Sequence, residues 1–132
     1  MRIGELAARA ACDVQTVRFY EREGLLEAPA REPSGYRRYE PRDLARLTFI
    51  RHCRSLDIPL PEVRQLLEFA RTPKQSCPQV NDLLDRQIAL VARRVRALQS
   101  LQGRLVSLRD GCDGNAAHAC AILASFGGGH VA

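Results

Sequence analysis

The stretch that decides the fold is DVQTVRFYEREGLL, residues 13–26. Asp13 is a strong helix N-cap, and Val14 to about Glu23 contains no breaker. Gly24 suits the left-handed position just past a helix end. The helix carries Gln15, Thr16, Arg18 and Tyr20, side chains able to reach base edges or phosphates. Upstream, Ile3, Leu6, Ala7 and Ala10 fall at helical spacing, so a first short helix precedes it. Ala11-Cys12-Asp13 breaks the pattern. Two short helices joined by a tight turn read as a helix-turn-helix, with the second as the reading helix.

Downstream, Leu25 to Glu40 is rich in turn formers. Pro33-Ser34-Gly35 predicts a tight β-hairpin, a wing flanked by Ala30-Arg31-Glu32 and Tyr36-Arg37-Arg38-Tyr39. Pro41 suits the first turn of a third helix, and Asp43 complements its dipole. Leu44, Leu47, Ile50 and Cys53 form its apolar stripe, and Pro59 is expected to stop it. Pro61 opens a fourth helix with Val63, Leu66, Leu67 and Ala70 on one face, ending near Thr72-Pro73.

After Pro78 the chain has no proline and only Gly103 as glycine as far as Arg109. Leu84, Ile88, Val91, Val95 and Leu98 alternate spacings of four and three, and Leu101, Leu105, Leu108 and Cys112 resume the pattern after one slip. That is a coiled-coil seam on a helix roughly 50 Å long. A seam of that length needs a partner, and a second copy of the chain is the simplest. The expected architecture is mostly α. It comprises a winged helix-turn-helix over 1–40, connecting helices over 41–73, a dimerisation helix over 74–110, and a loop, short helix and tail over 111–132.

The charge is consistent with a nucleic-acid partner. The formal net charge is +5, from 20 Lys+Arg against 15 Asp+Glu. All of those cations except Lys74 are arginines, whose planar fork matches phosphate and guanine edges. Nothing resembles a secretory leader, and no window is long and apolar enough to span a membrane, so a cytoplasmic location is expected. Five cysteines in a reducing compartment point to metal binding or burial, not disulfides. Cys53 falls within an apolar stripe and Cys12 in a turn, so both read as structural. No CxxC, nucleophile–base pair or phosphate-binding glycine loop suggests an enzyme.

The combination IGELA at 3–7, VRFYEREGLL at 17–26, GYRRY at 35–39 and LTFIRHCRSLDIPLPEV at 47–63 resembles the MerR family of bacterial transcription activators. The resemblance implies an antiparallel coiled-coil homodimer that grips promoter DNA and twists an overlong spacer for RNA polymerase. It also implies phosphate-backbone contacts by Tyr20, Tyr36, Arg37, Tyr39 and Arg54, beside base reading by Gln15, Thr16 and Arg18. Metal-sensing members carry cysteines at both ends of the dimerisation helix, and this chain has Cys77 before it and Cys112 and Cys120 after it.

Thiolates are soft ligands that favour Pb, Cd, Hg, Zn and Cu(I) over Mg or Ca. On one chain Cys77 and Cys112 are separated by the whole helix. In an antiparallel pair, Cys77 of one copy meets Cys112 and Cys120 of the other. Cys77 also stands at a helix start, where free N–H groups favour an anionic ligand atom. Three sulfurs suit Pb(II) or Hg(II), whereas Cd(II) or Zn(II) calls for a fourth ligand. His118 is a candidate for that fourth position, as is water. The cysteine set most resembles lead- and cadmium-responsive members, with zinc- or mercury-responsive members as alternatives. A sensor of oxidants or organic cations is a weaker reading, because Phe126 is the only aromatic in the C-terminal region.

Overall fold

The computed structural model describes residues 1–111 and 121–127. Six helices follow in order: α1 (Ile3–Arg9), α2 (Val14–Arg22), α3 (Pro41–Ser55), α4 (Leu60–Phe69), α5 (Cys77–Asp110) and α6 (Ala121–Gly127). The chain divides into two compact units, Met1–Leu83 and Leu84–Ala132.

In the first unit, the residues expected to face inward do so. Leu6, Val17, Leu25, Leu47, Ile50, Val63 and Leu83 are sealed from solvent, and Leu66 and Leu67 pack with them. Asp13 caps α2 by accepting from the Thr16 backbone N–H and from its hydroxyl, each at 2.8 Å. The backbone bond, followed by the hydroxyl bond, holds the Asp13 carboxyl below its ordinary range. Gly24, at φ +75°, turns the chain after α2. Ala11 takes the left-handed conformation in the turn between α1 and α2, at φ 56°.

α3 starts at Pro41 as expected, and the Glu40 N–H donates to the Asp43 carboxylate at 2.8 Å. It ends earlier than Pro59 would impose. Asp57 adopts φ 58°, and the Ile58 N–H turns back to the Cys53 carbonyl at 3.2 Å. Arg54 reinforces that end by donating to the Ile58 carbonyl at 2.7 Å. α4 includes Leu60 ahead of Pro61, and ends at Phe69, so Ala70 is exposed and outside the buried face.

The wing is smaller than a hairpin of two strands. Arg31 and Arg37 form a single antiparallel bridge, and no named strand occurs among the described residues. Its turn is closed by Gly35 N–H to the Glu32 carbonyl at 2.8 Å. Pro33 has no N–H to donate, and the polar tip has no apolar face to bury, so the ladder stops after one rung. The base is secured to the start of the chain: Tyr39 N–H donates to the Met1 carbonyl at 2.7 Å, and the Met1 amine donates to the Tyr39 carbonyl at 2.8 Å.

α5 begins at Cys77. Its first turns belong to the N-terminal unit, where Leu83 is fully buried and Val80 packs against the core. From Leu84 onward the seam positions are bare: Ile88, Leu98 and Leu105 are exposed.

Candidate nucleic-acid interface and thiol positions

The reading helix α2 faces two environments. Val17 and Tyr20, three apart, point into the core. Gln15 and Arg18 point out, and Arg18 makes no hydrogen bond or ion pair within the described residues. Thr16 is half-buried, and its hydroxyl is engaged with Asp13. Phe19 is partly exposed and leans on Tyr20, ring centroids 5.5 Å apart.

An open groove lies between α1, α2 and the wing. Arg2, Arg18, Arg22, Arg31 and Arg37 line it, with Glu5, Glu21 and Tyr36. The two acids are already committed. Glu5 pairs with Arg9 at 2.9 Å, away from the other arginines. Glu21, only 8% exposed, accepts from both the Arg37 guanidinium and the Tyr39 hydroxyl. This three-residue knot ties the reading helix to the wing. Tyr39 is 2% exposed. Burial, and then the hydrogen bond to Glu21, pushes its hydroxyl up to about 12.

The sequence-based assignment of Tyr20 and Tyr39 to the DNA-facing surface needs correction. Their exposures are 5% and 2%, so both rings are part of the core. A phenol has an apolar body with one polar tip, and a helix face or a knot can absorb it whole. Tyr36 is exposed, as expected, and the Arg2 guanidinium lies 4.1 Å from its ring centroid. Arg54 is exposed and also bound to the α3 terminus. Arg37 is half-exposed and paired. Sequence reasoning missed Arg2 and Glu21. Arg2 precedes any periodic pattern. Glu21 lies 16 residues from Arg37, a separation that no local rule links.

Of the thiols, Cys53 is buried in the core and Cys12 is half-buried; burial pushes both up from the ordinary thiol range. Cys77 is exposed at the first residue of α5. Cys112, Cys120 and His118 lie outside the described residues. Among the described residues, no three His, Cys, Asp or Glu side chains converge to hold a metal ion. Likewise among them, no helix is long and apolar enough to cross a membrane.

Comparison with known proteins points one way. Residues 1–70 match the MerR helix-turn-helix regulatory protein family, and residues 44–108 match the MerR DNA-binding region. The transcriptional regulator ZntR homolog of Haemophilus influenzae is 41% identical over 83% of this chain and 82% of its own length. The mercuric resistance operon regulatory protein of Bacillus cereus is 32% identical, with 86% of each chain covered. The crystal structure of PbrR691 from Ralstonia metallidurans, in complex with lead(II), is 48% identical, with a TM-score of 0.85 over 95% of this chain and 98% of that one. The chain therefore belongs to the MerR family of helix-turn-helix regulatory proteins.

Proposed function

We propose that this chain is a metal-responsive transcriptional activator of heavy-metal resistance genes, acting on promoter DNA as an antiparallel homodimer. Its effector is Pb(II) or Cd(II), with Zn(II) or Hg(II) as the alternative in the same site. The observation that carries the reading is on α5. Its seam residues are bare along the helix, and an exposed thiol, Cys77, stands at its first residue. A bare seam calls for a second copy. In an antiparallel pair, the end of α5 at Asp110, two residues before Cys112, comes to the partner's Cys77. The proposed ligands are Cys77 of one copy with Cys112 and Cys120 of the other, and His118 or water as a fourth. Three soft sulfurs fit a soft dication. Similarity to a lead(II)-bound relative supports lead, and similarity to zinc- and mercury-named regulators keeps the alternatives in view.

On the DNA side, Gln15 and Arg18 read base edges from the exposed face of α2, and Tyr36 and Arg54 lie against the backbone. Thr16 contributes chiefly through the α2 cap. When bound, the metal cross-links thiolates of two copies and so favours one arrangement of the pair over another. The rooted first turns of α5 hand that preference to the reading helices. Promoter DNA held at two half-sites is then untwisted for RNA polymerase.

The test is transcription from the cognate promoter with RNA polymerase holoenzyme, titrated with Pb(II), Cd(II), Zn(II) and Hg(II). Cys77→Ser and Cys112→Ser should each abolish the response and leave DNA binding intact. A Cys112→Ser protein that responds as the parent does would sink the three-thiol site.

A further inference from the structure

Resting on the DNA-binding reading above, we propose that Arg2, Arg22 and Arg31 join Arg18 as a phosphate-binding set along the groove. In the same groove, Arg37 is a positioning residue that does not touch DNA.

The charge balance of the groove carries this. Five arginines line it, and its two carboxylates are both engaged. Glu5 is held by Arg9, and Glu21 by Arg37 and Tyr39. Arg2, Arg18, Arg22 and Arg31 form no ion pair with any described residue, and all four are exposed. Four uncompensated cations in one concavity repel one another, and only an anionic occupant relieves that. They are drawn from the chain start, α2 and the wing, so they are spread along the groove and do not converge on a point. That distribution suits a chain of phosphates better than a single small anion.

Arg2 has a further qualification. Its guanidinium lies over the Tyr36 ring, a cation–π stack that orders a long side chain before any ligand arrives. An ordered cation loses less entropy on binding than a free one. The stack also places Arg2 beside the exposed Tyr36, so one contact arranges two interface residues. Arg37 is the opposite case. Its partner Glu21 is 8% exposed, and withdrawing Arg37 to bind phosphate would strand a buried carboxylate. Its guanidinium is already neutralised, so it adds nothing to counter-ion release.

The experiment measures affinity against salt concentration. The probes are a mixed-sequence DNA duplex and the promoter that precedes this chain's gene. Arg2→Gln, Arg22→Gln and Arg31→Gln should each reduce the slope of log affinity against log salt by about 0.9. Arg2→Lys should restore the parent slope, because it keeps the charge. Arg37→Gln should lower the melting temperature but leave the slope unchanged. A merely structural role for Arg2 would weaken binding with no change of slope. The inference is overturned if the Arg2 and Arg31 variants bind with the parent slope, or if Arg37→Gln loses a full contact. Failure of the parent protein to bind either duplex would instead remove the DNA-binding reading itself.

Discussion

Glu21 is the residue on which the most other residues depend. It sits on the reading helix, it is nearly buried, and its two partners come from the wing. Tyr39→Phe should cost about 2 kcal/mol of unfolding free energy, because it removes a donor to a buried charge. The Tyr39 hydroxyl is held above its ordinary value of 10.0, at about 12, so folding favours its protonated form. That contribution is complete below about pH 10 and is lost as pH rises towards 12. The stability gap between parent and variant, measured by urea unfolding, should therefore be level to about pH 10 and narrow above it. Gly24→Ala should cost about 1 kcal/mol, read as a lower denaturation midpoint. At φ +75° the penalty is conformational, since an added Cβ would find only ordinary contact, 3.6 Å from Arg64. Gly24 and the Asp13 cap were both legible in the sequence, because each acts within a few residues of itself. The knot was not, because its members are far apart and tyrosine spacing does not separate a core ring from a surface one.

Helices were the most legible elements. The periodicity of α1 to α4 named the buried faces, and only the ends moved. α3 stops at Ser55 because a left-handed Asp57 and the Arg54 bond finish it before Pro59 can. The wing was legible as a turn but not in extent, since Gly35 marks a bend and says nothing about how many rungs follow. For α5 the pattern identified the seam, and the structure leaves it bare, with Ile88 at 65% exposed. Ile88→Glu should raise the dissociation constant of the homodimer by about a hundredfold, because two apolar side chains per pair lose their burial. Sedimentation equilibrium would measure it. The melting of the N-terminal unit should be unaffected at low concentration, because Ile88 lies beyond the core.

At the scale of the whole molecule, every core residue among those described falls at or before Leu83. A fragment ending at Arg86 should therefore unfold cooperatively and sediment as a monomer, whereas the full chain should sediment as a dimer. Loss of cooperative unfolding in that fragment would mean that the seam supports the N-terminal fold. The proposed metal site was legible only as a set of spaced cysteines, because its members meet only across two copies. The burial of Cys53 and the partial burial of Cys12 have a practical side. Both thiols are shielded and weakly acidic, so an alkylating dye or spin label should find Cys77 first among these three. With Cys112 and Cys120 replaced by serine, such a tag at the head of the long helix becomes a ruler. Its spacing from a twin tag on a second molecule would report directly whether the two run in opposite directions.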